Sequence, residues 1–157
     1  MIIEKLSRFH NKENFDCGNP LLNDFLKKYA YQNQNRYLIG VTYVIHIDNK
    51  IIGYITISAA SIKKVNIQAN KPYEDIPVLR IARLAVDKSY QKKGIGKRLL
   101  KFAINKAIEL KENYGCAGIV VDAKDEAVEF YKKYGFIGMK TFEKHINVSM
   151  YLSLKKI

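Results

Sequence analysis

The chain has 157 residues, with 27 Lys and Arg against 15 Asp and Glu, a formal net charge of +12, and two cysteines. That length suits one domain, 1–157, with a substantial core, and no apolar run approaches the ~20 residues that cross a bilayer. Cys17 and Cys116 do not form a metal-spaced pair, and the start Met-Ile-Ile-Glu-Lys-Leu does not read as a signal peptide. A reduced, cytoplasmic, membrane-free protein is the expectation, and nothing supports or excludes a Cys17–Cys116 disulfide. The positive excess concentrates polyanions at the surface. A composition rich in Lys, Ile, Asn and Tyr supplies the same charge without selection for RNA, so the charge permits a nucleic-acid partner without specifying one.

In chain order, Asn19-Pro20 reads as a helix start, with Asn as cap and Pro at the first helical position. Leu21, Leu22, Phe25, Leu26 and Tyr29 then carry helical spacing to about Tyr31. Val41 to Ile47 and Ile51 to Ser58 are β-rich runs separated by Asp48-Asn49-Lys50, which predicts a hairpin. Residues 61–75 are polar and irregular and read as a strand fragment and a loop. Val78 to Val86 reads as a strand and Gly94 to Leu110 as a helix, with Leu99, Leu100, Ala103, Ile104, Ala107 and Ile108 on its buried side. Gly118 to Val121 is a short buried strand, and Asp125 to Tyr134 a helix stopped by Gly135. Met139 to Phe142 and Val148 to Leu152 close the order β-α-β-β-β-α-β-α-β-β. A helix between the Val78–Val86 and Gly118–Val121 strands implies a parallel pair. The predicted fold class is α/β (α+β), a central mixed, mostly antiparallel twisted sheet flanked by helices.

The densest functional signal is Gln91-Lys92-Lys93-Gly94-Ile95-Gly96-Lys97-Arg98, between the strand and the long helix. Unpaired N–H groups at a helix start, reached through glycines, form an anion site. The spacing is not that of a P-loop, and Leu99 stands where a dinucleotide fingerprint needs its third glycine. Gln-x-x-Gly-x-Gly after Leu84-Ala85-Val86-Asp87 resembles instead the acetyl-CoA loop of the GCN5-related N-acetyltransferases, the GNAT family. Phe130-Tyr131-Lys132-Lys133-Tyr134-Gly135-Phe136 is similar to that family's F-Y-x-x-x-G-F segment. Phe15-Asp16-Cys17-Gly18, Leu22, Asp24-Phe25-Leu26, Thr42-Tyr43-Val44, Gly53 to Ser58 and Ala82 to Asp87 resemble a narrower branch, the GNAT toxins that acetylate aminoacyl-tRNA.

The resemblance implies a GNAT fold, acetyl-CoA as co-substrate, no metal, and direct acetyl transfer to an amine. It places Leu84, Ala85 and Val86 beside the pantetheine arm and the thioester carbonyl. Gln91, Lys92, Lys93, Gly94, Ile95, Gly96 and Lys97 fall at the pyrophosphate, with Gln91 as a brace or a phosphate contact. Tyr131 falls at the general-acid tyrosine, where a phenol protonated at neutral pH serves a leaving thiolate. Arg80, Arg83 and Arg36 are the candidates for tRNA phosphate, because Arg clamps phosphate bidentately. No general base stands out among the scattered His10, His46 and His145, and Asp125 is read as a cap or a CoA contact. A ribbon-helix-helix antitoxin and a homodimer are the expected partners. A protein N-terminus, a lysine or a small-molecule amine remains open as acceptor, as does a CoA-binding regulator without activity.

Overall fold

Asn19 and Pro20 open the first helix as their chemistry requires. The Asn19 side chain accepts the N–H groups of Leu21 at 3.0 Å and Leu22 at 3.2 Å, and Pro20 has no N–H to leave unpaired. The fold is seen in a computed structural model that describes residues 2–67, 69–139 and 147–155. The segment after Pro20 is helical, as its spacing predicts, but it is not one regular α-helix. α1 (Pro20–Asp24) and α2 (Ala30–Gln32) alternate with π-helical turns at Phe25–Tyr29 and Asn33–Tyr37. Such turns re-aim the side chains that follow them and are frequent at functional sites. The segment ends on Leu38 with φ 60°, a left-handed conformation that leucine rarely adopts.

Seven strands form one sheet in the order β1-β2-β3-β4-β5-β7-β6. They are β1 (Ile2–Lys5), β2 (Val41–Ile47), β3 (Lys50–Lys63), β4 (Asp75–Val86), β5 (Gly118–Ala123), β6 (Ile137–Gly138) and β7 (Val148–Ser153). The remaining helices are α3 (Lys64–Ile67), α4 (Ile95–Asn113) and α5 (Val128–Lys133). The chain divides into two compact units, Met1–Ser58 with Ala82–Ala103, and Ala59–Ile81 with Ile104–Ile157.

In the first unit, β1 and β2 are antiparallel from Ile2↔His46 to Lys5↔Tyr43. β2 and β3 form the predicted hairpin. Its turn residues Asp48 and Asn49 have φ 49° and 69°, the paired positive angles of the turn that matches strand twist. Phe15, Phe25, Leu26, Val44, Tyr54 and Ala85 belong to one buried cluster. β3 approaches α4 closely at Gly53, where an added Cβ would lie 3.1 Å from Ile45 and Ile95 and 3.2 Å from Leu99.

In the second unit, β4 and β5 run parallel from Val78↔Gly118 to Ile81↔Val121, as the intervening helix implies. β7 is antiparallel to β5 and to β6. Ile62, Ile76, Val78, Val120 and Tyr151 form its core. α5 ends as Gly135 predicts: Gly135 has φ 95°, and the Phe136 N–H reaches back to the Tyr131 carbonyl at 3.2 Å.

Three boundaries differ from the sequence reading. The stretch 61–75 holds the expected strand fragment, as the end of β3, but also the short α3, and β4 begins at Asp75. The strand expected over Met139–Phe142 is instead β6 at Ile137–Gly138, with residues 140–142 outside the described set. The helix expected from Asp125 begins as a 3-10 turn at Asp125–Ala127 before α5, and neither start has a side-chain cap bond. Asp125 thus lies inside the first turn, near the positive end of the helix dipole, and does not cap it.

Candidate active site

β4 runs to Val86, directly before the loop. Ala85 near its end is buried, and Leu84 and Val86 are partly buried. Extended backbone of this kind can pair with a ligand that lies beside it like another strand. Alternation turns the Leu84 and Val86 side chains to one face and those of Arg83 and Ala85 to the other.

The loop after β4 leads directly into α4. Lys92 and Gly94 have φ 62° and 84°, and positive angles turn successive amides toward one concavity. Arg98 N–H bonds to the Gly94 carbonyl at 3.1 Å. The N–H groups of Ile95, Gly96 and Lys97 precede the first intrahelical bond and, among the described residues, have no partner, as an anion site requires. Ile95 is buried and anchors the helix start, while Lys92, Lys93, Gly94 and Lys97 are exposed. The Lys93 ammonium lies 5.5 Å from the Tyr90 ring centroid. Gln91 supports the loop: its Nε2 donates to the carbonyls of Val86 at 2.9 Å and Cys17 at 3.0 Å. Both amide hydrogens are engaged in bracing the loop.

Asp16 completes that support. Its carboxylate accepts from the Gly18 N–H at 2.9 Å, Asn23 Nδ2 at 3.0 Å and Lys88 Nζ at 3.0 Å. The Gly18 bond, then Lys88 and Asn23, lower its pKa to about 2. Its backbone donates to Asp87 Oδ2 at 3.1 Å and accepts the Lys88 N–H at 2.8 Å. Phe15-Asp16-Cys17-Gly18, which the sequence marks only by resemblance, is therefore the bracket that fixes residues 87–91. Phe15 is fully buried beneath it, its ring 5.6 Å from Tyr54.

Tyr131 is buried in α5. Its ring meets Phe130 at 5.1 Å and Phe136 at 5.3 Å, edge to face in both cases. Burial pushes its pKa above the ordinary value of 10.0, so it remains a phenol through the physiological range. Among the described residues nothing hydrogen-bonds its hydroxyl, and no side-chain polar atom is both buried and unpartnered.

The three arginine candidates separate. Arg80 pairs with Asp122 at 3.5 Å. Arg36 is exposed, 5.4 Å from the Tyr37 ring centroid. Arg83 lies 3.7 Å over the Phe25 ring.

Residues 39–137 match the Acetyltransferase (GNAT) domain family. The chain belongs to the GNAT acetyltransferase family. It is 29% identical over 153 residues to a tRNA-acetylating toxin of Mycobacterium tuberculosis, a match that takes in 93% of this chain and 90% of that protein. Among solved structures, AtaT complexed with acetyl-methionyl-tRNAfMet superposes with a TM-score of 0.87 at 26% identity, covering 98% of this chain and 95% of AtaT. A tyrosine-to-phenylalanine variant of AtaT, bound to acetyl-CoA and the C-terminus of the antitoxin AtaR, gives a TM-score of 0.79 at 26% identity over 98% and 93% of the two chains. The residues present fit acetyl-CoA, with extended backbone at Leu84, Ala85 and Val86 to suit an extended arm and helix-start amides at Ile95, Gly96 and Lys97 to suit its pyrophosphate.

This GNAT acetyltransferase also carries a cluster that sequence reasoning missed. His10 and His46, scattered in sequence, converge on one oxygen of Glu4, at 2.9 and 2.7 Å. Hydrogen bonds from both rings hold the Glu4 carboxyl below its usual range. The three donor atoms lie within 4.8 Å of one another, a set that could attract a metal. The ring orientation opposes that. Each Nδ1 accepts a backbone N–H, from Ser7 at 2.9 Å and Asn49 at 3.1 Å, which puts both ring protons on Nε2, facing Glu4. A metal at Nε2 would force those protons onto Nδ1, against two N–H donors, whereas a metal-bound histidine normally donates from its other nitrogen. The cluster closes on itself and pins β1 to β2.

Proposed function

We propose that the chain acetylates the α-amino group of aminoacyl-tRNA and thereby blocks translation as a toxin. The observation that carries this reading is the near full-length similarity to a tRNA-acetylating toxin, together with the likeness to AtaT in complex with acetyl-methionyl-tRNAfMet. The net charge of +12 suits a polyanionic acceptor.

Acetyl-CoA supplies an activated thioester. Leu84, Ala85 and Val86 lend backbone amides to the pantetheine arm and to the acetyl carbonyl. Lys92, Lys93, Gly94, Ile95, Gly96 and Lys97 hold the pyrophosphate, with Gln91 and Asp16 fixing the loop. The neutral amine attacks the acetyl carbon, the new C–N bond forms and the C–S bond breaks. Tyr131 gives its proton to the departing sulfur, and the amine's surplus proton passes to water. An α-amine on an aminoacyl ester is unusually acidic for an amine, so this acceptor needs no strong protein base. Acetylation removes the charge and nucleophilicity that peptide-bond formation requires.

The same reading treats residues 1–157 as one cytoplasmic GNAT domain that works as a homodimer. Its partner is an antitoxin of the ribbon-helix-helix type whose C-terminal tail covers the site, by analogy with AtaR on AtaT. Radiolabelled acetyl-CoA in a complete translation extract tests the acceptor. Label on RNA that mild alkali releases as acetyl-amino acid is expected. Label confined to protein or to small amines would overturn the reading in favour of those acceptors.

A further inference from the structure

Arg83 is a cation held in place by an aromatic ring. It is partly buried, and among the described residues no carboxylate pairs with it and no acceptor hydrogen-bonds it, in contrast to Arg80 with Asp122. Five N–H donors that are partly withdrawn from water and unmatched by any described residue favour an external acceptor. Its carbon centre lies 3.7 Å over the Phe25 ring. That stacking fixes the plane of the guanidinium and leaves its N–H edges for hydrogen bonds. The platform is itself rigid. Phe25 opens the first π-helical turn, is buried, and stacks on Tyr54 at 6.3 Å. Tyr54 is fully buried and donates its hydroxyl to the Leu22 carbonyl at 2.6 Å.

The position of Arg83 selects the anion. Arg83 stands on β4 immediately before Leu84, Ala85 and Val86, and about 7 Å along the strand from Ala85. The CoA pyrophosphate is served further along the chain, at Ile95–Lys97. In an aminoacyl-RNA the phosphate closest to the reacting amine is that of the 3′-terminal nucleotide, separated from it by one ribose and the ester. We propose that Arg83, stacked on Phe25, binds that terminal phosphate and so sets the acceptor's register. This rests on the aminoacyl-tRNA reading above. Bidentate recognition of phosphate by a preorganised guanidinium carries geometry as well as charge.

The test uses two minimal acceptors, 3′-O-aminoacyl-adenosine with and without a 5′-phosphate, and charged tRNA. The wild-type chain should prefer the phosphorylated nucleoside by about 10- to 100-fold in kcat/KM, the range of one charge-assisted pair. Arg83→Gln should bring that preference close to one and Arg83→Lys should restore part of it. On charged tRNA, Arg83→Gln should raise KM about 10-fold or more while acetyl-CoA affinity, measured by direct titration, stays unchanged. That titration also reports that the variant folds. An unchanged KM for charged tRNA, or a phosphate preference that survives Arg83→Gln, overturns the inference. A loss of acetyl-CoA affinity in its place would assign Arg83 to a CoA phosphate and overturns it too. If the wild-type chain acetylates no aminoacyl ester, the acceptor reading falls and takes this one with it. If it acetylates both nucleosides equally, this inference alone falls.

Discussion

Replacing Tyr131 by Phe removes one oxygen from a buried ring and leaves its surroundings unchanged. Phe130 and Phe136 pack edge to face against the ring itself, and Phe presents the same ring. Among the described residues the hydroxyl has no hydrogen-bond partner to lose, so the change should leave thermal stability within about 0.5 kcal/mol of wild type. Loss of a positioned proton donor is a different matter. General acid catalysis contributes about 10²- to 10⁴-fold, which is about 2.7 to 5.4 kcal/mol of barrier. Tyr131→Phe should therefore bind acetyl-CoA with unchanged affinity and lose at least about 100-fold in kcat. Steady-state rates from thiol release, with isothermal titration of acetyl-CoA, measure both. The pH profile adds a check. Burial raises the Tyr131 pKa above 10.0, so the wild-type rate should show no fall from deprotonation of this group below that pH. Near wild-type kcat in the variant, or a loss of acetyl-CoA affinity matching the loss of rate, would refute the assignment.

Three further outcomes follow from the geometry. Gln91→Leu removes both bonds that tie the loop to Val86 and Cys17; it should raise the acetyl-CoA KM about 3- to 10-fold with little effect on the acceptor KM, and an unchanged acetyl-CoA KM would contradict the bracing role. Gly118→Ala would drive a Cβ into the Tyr151 ring and the Leu152 carbonyl, so calorimetry should find it destabilised by about 1–3 kcal/mol, and an unchanged melting temperature would contradict the packing. Asp16 has its pKa lowered from 3.8 to about 2, so its stabilising contribution is fully present above 3.8 and is lost as pH falls toward 2. Asp16→Asn should accordingly flatten the acid limb of the stability curve in that window, and an unaltered acid limb would remove Asp16 from the bracket.

Local chemistry was legible wherever the signal and its consequence lie close together in the chain. Asn19-Pro20 announces a helix, Asp48-Asn49 a hairpin, Gly135 a helix end, and the glycines after β4 a turn into a helix start. The long-range relations were not. Asp16 and Asp87 meet across 71 positions, and nothing in the immediate sequence of either names the other. Glu4 and His46 are 42 apart, and only the antiparallel register of β1 and β2 brings them together. Arg80 and Arg83 look alike in sequence. Asp122, on the strand parallel to β4, neutralises the first, and Phe25, contributed by a π-helical turn, supports the second. Those turns were themselves hidden, because the spacing of Leu21, Leu22, Phe25, Leu26 and Tyr29 is that of an α-helix. β3 outruns its expected end at Ser58 because Ala59-Ala60-Ser61 carries no β-rich pattern, and context within the sheet overrides local propensity.

The central claim is transfer of acetyl to the amino acid of a charged tRNA. The direct test incubates the purified chain and labelled acetyl-CoA with aminoacylated tRNA and, in parallel, with the same tRNA deacylated. The account predicts label on the charged tRNA alone, approaching one acetyl group per aminoacyl ester and released by mild alkali as N-acetyl amino acid. Equal labelling of the deacylated tRNA, or none of either while protein or small amines are acetylated under the same conditions, would contradict it.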